Sequence, residues 1–557
     1  MSRTGRRPAR KTAEGEKLLQ LFTAQLPEEG GGAPALAAGL RELKPSAHLI
    51  HRVLADVPHP ESSRMRDIGV VLLAYEDRYA RLLGLALIAR ARLPFDTEAV
   101  RAIGMSRPFT HEAVAALETL PDPVPDLLSL AERMPPADRQ LRHVLPALVR
   151  RADDPRVREW LLHHPEAIAG LAPSTARQIA EAVRLLDLLR ERPDDIGIVD
   201  QTLGLLARMT SWGDYRAEIR HYPDARALFL ALAAAAPDLP PSLDRAAQLT
   251  SLVQELYSGH SGLLDMTPRR HGELLDALCR PLRRPDWTEL VRTARASAPH
   301  ADQRHRAAWI ERTLARCPTD PPGLRIAVAV PDPAHSTQVE TRILVDGHPV
   351  VADAFDAGPA HAPEYLLDPG LLRATDEPHE VELAEAYCTE GCCGALYVTV
   401  VREGDTVVWR DWHRSKSTED APIPPALRFD AAAYDAEVER ATEDHSWEWP
   451  GRTLARLVRE RLRDEPELVR RWDCRLIWVG THHAEPGVVK ASFIHPASAR
   501  HTGDDPYVQL LWSFADDGTP PAAQAEAVVR RLRREDLTTF AHLSAGTPGA
   551  AAALGFE

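Results

Sequence analysis

Lysine is the residue that this 557-residue chain most clearly lacks: it occurs at only five positions, whereas arginine is abundant. No Gly-x4-Gly-Lys loop is present, and no Gly-x-Gly-x-x-Gly motif follows a predicted strand. These absences argue against NTPases, kinases and dehydrogenases of the Rossmann type. We therefore expect no nucleotide partner.

Cysteine is also scarce, with six residues in the whole chain, so we expect no disulfide framework. The longest apolar run, ALFLALAAAA at 227–236, is too short to cross a bilayer. The charged N-terminal residues are not followed by the apolar stretch that a signal peptide requires. We expect a cytoplasmic protein with reduced thiols and no membrane partner.

Positive charge is in short supply in the second half of the chain. Residues 1–322 carry 44 basic and 42 acidic side chains, whereas residues 323–557 carry 23 and 39. The resulting local charge of −16 repels phosphate groups and anionic lipids, so nucleic acid is not an expected partner. The acidic half suits a basic protein partner or serves solubility. The basic arm RTGRRPARK at 3–11 either contacts RNA or DNA or is a disordered leader.

In the first half of the chain, apolar residues recur at the spacing of an α-helix. Amphipathic segments of roughly 10–19 residues follow one another, separated by proline, aspartate or serine. Segments 111–120 and 124–134 predict one helical hairpin, and 138–151 with 155–164 predict the next. This pattern resembles HEAT-like helical repeat proteins over residues 60–320, which implies a curved scaffold that binds partners. An irregular helical bundle is the alternative.

The second half of the chain has the alternation of polar and apolar residues that is typical of β-strands. After Pro318, β-like stretches occur at 324–330, 338–355, 380–387, 394–413, 474–482, 487–495 and 507–514. Of these, 338–355 predicts a hairpin with a tight turn at Asp346–Gly347, and 394–413 predicts a second hairpin that turns at 403–405. Few helices separate them, so we predict an α+β fold with a mainly antiparallel sheet, following an all-α first half. This half is similar to uncharacterised proteins of GC-rich bacteria, a likeness that implies no activity. The predicted organisation is a leader at 1–17, a helical domain at 18–317, a linker at 318–323, an acidic α+β domain at 324–543 and a flexible tail at 544–557.

The cysteine-rich stretch AYCTEGCCG at 386–394 opens the second predicted hairpin. Thiolates on a glycine-containing turn can bind zinc, but the spacing of Cys388, Cys392 and Cys393 is not the usual C-x2-C. The remaining ligands would have to come from His361, His379, His413 or Cys474. A redox disulfide and inert apolar cysteines are the other interpretations. We expect no cofactor, with zinc at Cys388, Cys392, Cys393 and Cys474 as the alternative.

Other motifs are incomplete. HEAV at 111–114 lacks the second histidine of a metalloprotease helix, and SGHSG at 258–262 does not complete a nucleophile elbow. The SGHSG segment is predicted to be a loop between helices that leaves His260 and Ser261 at the surface. THH at 481–483 could meet His495 and, with Asp504–Asp505, bind a metal, or be solvated strand ends. The arginine-dense helix at 452–475 either pairs with the acidic segment before it or binds an anion.

These observations together predict a non-enzymatic interaction protein. A helical array would present the surface that binds a protein partner, and the acidic α+β domain would bind or position that partner. No catalytic residue is assigned. The alternatives are an enzyme with its site around Cys388, Cys392, Cys393, His482 and His483, or a zinc module fused to a scaffold.

The zinc alternative makes a direct prediction. Elemental analysis would find about one zinc ion per chain, and Cys392→Ala would lose both metal and stability, because a structural zinc contributes to folding. Metal-free protein, together with a variant as stable as the wild type, would contradict it.

Overall fold

The computed structural model describes most of the chain. The described residues are 13–27, 32–57, 61–135, 140–164, 171–212, 216–316, 323–334, 338–386, 394–415, 423–499, 506–547 and 549–556. The chain divides into two compact units, Met1–Leu188 and Leu189–Glu557. Residues 318–322 of the linker predicted at 318–323 lie outside the described residues. Within the described ranges, no helix is both long enough and apolar enough to cross a bilayer.

The first unit is helical throughout its described residues. Its helices are α1 (Ala13–Gln25), α2 (Gly32–Leu43), α3 (Ala47–Asp56), α4 (Ser62–Leu73), α5 (Arg78–Ala91), α6 (Thr97–Gly104), α7 (Thr110–Leu117), α8 (Val124–Glu132), α9 (Leu141–Val149), α10 (Pro155–His163), α11 (Pro173–Ala182) and α12 (Leu185–Glu191), the last of which crosses the division. Polar residues between the segments act as N-caps: Ser46 accepts from Leu49 N, and Asp77 accepts from Tyr79 N.

Helices α4 and α5 approach each other closely where two glycines meet. A β-carbon on Gly69 would lie 2.9 Å from the carbonyl oxygen of Gly84, and one on Gly84 would lie 2.9 Å from that of Gly69. Any larger residue at either position would push the helices apart, so the two glycines set the spacing of this helical pair.

Glu112 is a buried carboxylate within this unit. Its side chain is 5% exposed, and its oxygens lie 2.5 Å from His51 Nε2 and 3.3 Å from His111 Nδ1. Burial alone would raise the pKa of Glu112, but hydrogen bonds with His111 and His51 lower it to about 2. The HEAV motif therefore contributes a charge cluster that joins α3 to α7.

Glu112 is predicted to make the protein sensitive to acid. Because its pKa is lowered from 4.5 to about 2, its stabilisation is complete above the unfolded pKa and is lost as pH falls toward 2. Between pH 6 and pH 3, the wild type should lose about 2 kcal/mol more unfolding free energy than Glu112→Gln, measured by urea denaturation. Glu132→Gln, at an exposed carboxylate, should behave as the wild type. Equal pH dependence in wild type and Glu112→Gln would disprove this role.

The second unit contains helices and all the described strands. Its further helices are α13 (Ile196–Met209), α14 (Ala225–Ala235), α15 (Leu243–Ser258), α16 (Pro268–Leu282), α17 (Pro285–Ser297), α18 (Ala301–Ala315), α19 (Val350–Ala354), α20 (Pro363–Leu366), α21 (Ala431–Glu443), α22 (Pro450–Asp464), α23 (Glu467–Arg470), α24 (Pro521–Arg534), α25 (Leu537–Phe540) and α26 (Ala550–Ala553). Short 3-10 helices lie at Glu218–His221, Ala236–Asp238 and His260–Leu263.

The strands form three small antiparallel sheets in the described residues, which confirms the predicted order of an all-α part followed by an α+β part. They are β1 (Leu324–Ala329), β2 (Glu340–Val345), β3 (His348–Pro349), β4 (His379–Glu385), β5 (Ala395–Glu403), β6 (Thr406–Ser415), β7 (Leu427–Asp430), β8 (Arg475–Thr481), β9 (Val488–His495), β10 (Val508–Ala515) and β11 (His542–Gly546). The sheets have the orders β1-β2-β3, β4-β5-β6-β7 and β11-β10-β9-β8. Asp346 and Gly347 both have positive φ, as the tight turn predicted there requires.

Two backbone residues connect the first sheet to the second. Thr341 N of β2 donates to His361 O at 2.8 Å, and His361 N donates to Leu383 O of β4 at 2.9 Å. Ala360 also forms a bridge with Ala384. The segment 360–361 thus lies between β2 and β4 and fixes His361 beside the second sheet.

The third sheet packs one face against α22 and α24. Phe493 and Leu510 of the sheet belong to a core cluster with Val458 and Val529 of these helices. The predicted tail at 544–557 contributes the end of β11 and helix α26, whose Ala550 is buried in the same cluster. These contacts follow from the alternation of apolar residues in β9 and β10.

A buried charge cluster holds α15 against β2. Arg342 Nη2 bonds to Glu340 Oε1 at 2.9 Å and to Glu255 Oε1 of α15, and all three side chains are at most 10% exposed. Burial raises the pKa of Glu255. A β-carbon on Gly259 would overlap Glu255 Oε2, so glycine at this position leaves room for the cluster.

The prediction that His260 and Ser261 lie at the surface is wrong. They are 8% and 0% exposed, because the 3-10 turn that follows α15 packs beside the charge cluster. Burial lowers the pKa of His260 to about 3, so its imidazole is neutral.

Arg342→Met should destabilise the second unit strongly. The change leaves two buried carboxylates without their cation, which typically costs about 3–5 kcal/mol of unfolding free energy. Arg295→Met is the matched control, since the pair of Arg295 with Glu311 is largely exposed and should contribute no more than about 1 kcal/mol. Urea denaturation measures both, and a loss in Arg342→Met no larger than in the control would contradict the structural role.

Candidate functional site

The second sheet has an apolar core face and an opposite face on which polar side chains lie next to the buried Val401 and Val408. Val398 and Trp409 are fully buried on the core side. On the opposite side, Glu382 of β4 pairs directly with Tyr397 of β5, and Tyr397 pairs with His413 of β6. Directly paired residues of antiparallel strands project from the same face, so these three side chains form one row.

His361 joins this row from the connecting segment. Its Nε2 lies 2.8 Å from Glu382 Oε1, and its ring stacks on Tyr365 with 4.1 Å between ring centroids. The backbone hydrogen bonds of His361 to Thr341 and Leu383 fix the position of its main chain. The pairing of its imidazole with Glu382 therefore depends on how β2 and β4 are arranged.

A second aromatic pair lies at the other end of the row. The rings of Tyr397 and His413 stack at 5.0 Å with an interplanar angle of 12°. His413 Nε2 also lies 3.6 Å from Glu380 Oε2. Burial, followed by a hydrogen bond with Glu382, raises the pKa of Tyr397, so its hydroxyl keeps its proton at neutral pH.

Glu385 pairs with Ala395 on the same side of the sheet and completes a surface that we call the acidic aromatic face. Its members are His361, Tyr365, Glu380, Glu382, Glu385, Tyr397 and His413. Three carboxylates stand beside two stacked aromatic pairs, a combination that attracts a cationic group through both charge and ring faces. Arg410, paired with Thr399, is a basic residue on the same side, in the row that also contains Glu380.

The zinc site stays a prediction, because Cys474 alone of its four candidate ligands is among the described residues. Cys388, Cys392 and Cys393 fall outside the described residues; of the residues that flank them, Ala386 N donates to Gly394 O at 2.9 Å. His361 and His413, two of the histidines considered as ligands, lie on the acidic aromatic face. His379 instead contacts Leu371 O through Nε2 at 3.0 Å.

Cys474 belongs to the core of the third sheet. It is 0% exposed, and its Sγ donates to Trp472 O at 3.4 Å. Burial raises the pKa of Cys474 to about 12. Across the described ranges, no group of three or more histidines, cysteines or carboxylates has the geometry to hold a metal ion.

His483 of the THH motif and His495, which was expected to meet it, have separate environments. His483 is 3% exposed and packs between His305 and Trp449, with ring centroids 5.1 and 4.7 Å away. Burial lowers the pKa of His483 to about 3. His495 instead contacts Asp473 O at 3.0 Å through Nδ1, and Asp504–Asp505 lie outside the described residues.

Sequence reasoning missed most of the acidic aromatic face. Glu380 and Glu382 alternate with the buried Val381 and Leu383 in β4, a pattern that indicates one open polar face. That signal could have drawn attention to β4. It could not have identified Tyr365 of α20, which lies on the face because of the path that the chain takes between β3 and β4.

Comparison of the chain with protein-family models, curated proteins and solved structures finds no match. The resemblance of the first half to HEAT-like repeat proteins therefore stays a prediction, as does the likeness of the second half to proteins of GC-rich bacteria.

Proposed function

We propose that this protein is a non-enzymatic interaction protein that binds a basic segment of a protein partner on the acidic aromatic face. The observation that carries the proposal is the row of Glu382, Tyr397 and His413 on one face of the second sheet, with His361 and Tyr365 stacked beside it. Lysine and arginine side chains match this surface, because carboxylates pair with their charge and aromatic rings attract cations.

The charge of the surrounding chain supports the same class of partner. Residues 323–557 carry a net charge of −16, which favours the approach of a basic protein and disfavours nucleic acid and anionic lipid. In this proposal the helical first half supplies additional partner-binding surface, as the HEAT-like resemblance implies. The protein would act in the cytoplasm without a nucleotide.

A basic peptide tests the proposal directly. We expect the full-length chain to bind a ten-residue peptide of alternating arginine and glycine in isothermal titration calorimetry. Glu380→Gln combined with Glu382→Gln should weaken binding about tenfold, equivalent to 1.4 kcal/mol, because two of the carboxylates that pair with guanidinium are lost.

A matched double variant provides the control. Glu377→Gln with Glu439→Gln removes the same charge from exposed positions outside the acidic aromatic face, and its affinity should equal that of the wild type. Equal weakening by both double variants would show attraction by overall charge alone, and absence of binding would reject the proposal.

A zinc-binding or enzymatic module is the second candidate. It is favoured by the position of His361 and His413 beside β4 and β5, the strands that flank Cys392 and Cys393 in the sequence, although Glu382 and Glu380 already contact these two histidines. The His361–Glu382 pair is also of the kind that transfers protons in catalysis. The zinc content of purified protein distinguishes the metal form of this candidate from the interaction protein.

A further inference from the structure

The second unit contains a polar cleft of about 370 Å³ that shares no residue with the acidic aromatic face. It lies between the turn that follows α20, the end of α21 and one side of α22. Its volume is at the lower end of the range of small-molecule sites, so a compact ligand is the natural occupant.

Helix α22 supplies the basic wall of the cleft. Arg456, Arg459, Glu460 and Arg463 all line it. Their spacing of three, four and seven residues from Arg456 places them on one side of the helix. Arg373, from the turn after α20, is the fourth arginine of the lining.

Two carboxylates, the buried Glu448 and the partly buried Asp368, hold two of these arginines in place. Glu448, whose side chain is 1% exposed, accepts from Arg456 Nε at 3.0 Å. Asp368 accepts from Arg459 Nη1 at 3.1 Å and from Arg452 Nη2 at 2.9 Å, and Arg452 is 1% exposed. The cleft is therefore preorganised by an ion-pair network beneath it, and its guanidinium groups need little reordering to receive a ligand.

The other two arginines are less engaged. Arg373 has no ion pair with any residue that the structure describes, and Arg463 lies 3.6 Å from the exposed Asp464. Of the carboxylates that line the cleft, Asp368 and Glu460 are each bonded to an arginine of the network. Only Glu443 of the lining has no ion pair within the described part of the chain.

We propose that this cleft binds a small, multiply charged oxyanion, either a phosphate ester or a polycarboxylate. Arg373 and Arg463 would contact the anion directly, since guanidinium groups form paired hydrogen bonds with both phosphate and carboxylate oxygens. Glu443 would accept from a hydroxyl or amino group of the same ligand. Apart from the imidazole of His445, the lining contains no aromatic ring on which a nucleotide base could stack.

The cleft lies in the acidic half of the chain, and this location limits how an anion could be attracted to it. The half of the chain that contains it carries a net charge of −16, so general electrostatic attraction works against an anion. Binding of an anion therefore requires the local arrangement of arginines in the cleft.

Titration of the full-length protein with sodium pyrophosphate and with sodium citrate tests the proposal. Isothermal titration calorimetry is performed at constant ionic strength set with sodium chloride. We expect saturable binding of one anion per chain for at least one of the two probes, and the stronger probe identifies the ligand as phosphate-like or carboxylate-like. Arg373→Gln combined with Arg463→Gln should weaken that binding at least tenfold, because both less engaged guanidinium groups are lost.

Arg530→Gln with Arg534→Gln is the matched control, because it removes two exposed arginines of α24 from the same half of the chain. Its affinity should equal that of the wild type. Both double variants alter exposed side chains, so the thermal midpoint should confirm that each is folded. No saturable binding of either probe, or equal weakening by the two double variants, would overturn the proposal.

Discussion

The guanidinium group of Arg342, shared by the buried carboxylates of Glu255 and Glu340, is the interaction on which the second unit depends. Removing three charges from water is costly, and their mutual attraction offsets that cost only when all three are in place. Such a cluster specifies a pairing more than it adds net stability. It makes α15 and β2 parts of one folded unit, and the bidentate contact of Arg306 with Asp332 repeats the same kind of link at α18.

The acidic aromatic face is positioned through this cluster. Glu340 Oε2 accepts from Ala360 N at 3.3 Å, and the next residue, His361, exchanges backbone hydrogen bonds with β2 and β4. The imidazole that pairs with Glu382 is therefore connected to the buried charges by a short stretch of backbone. A change at the charge cluster should disturb the surface as well as the core, whereas a change at Glu382 should leave the core intact.

The second unit contains two polar surfaces of opposite character within one acidic half-chain. On the sheet, carboxylates are exposed beside aromatic rings. At the cleft, the buried Glu448 and the partly buried Asp368 are bonded to arginines and serve to position them. Net charge counts both kinds of carboxylate equally, although only exposed ones contribute strongly to the field that a partner meets. The arginine-dense helix predicted at 452–475 thus divides between an internal network and a lining of the cleft.

The sequence by itself determined the features that depend on neighbouring residues: the helical first half with its Ser and Asp caps, the antiparallel hairpins, and the turn at Asp346–Gly347. Each follows from periodicity or from the φ values that a few residues allow, so a short window of sequence is sufficient. Only the tertiary structure decided that Arg342 meets Glu255, 87 positions away, that His260 is buried, and that His361 lies beside Glu382. These pairings are made by the packing of distant elements, and local patterns of polarity carry no information about which distant charge will neutralise which.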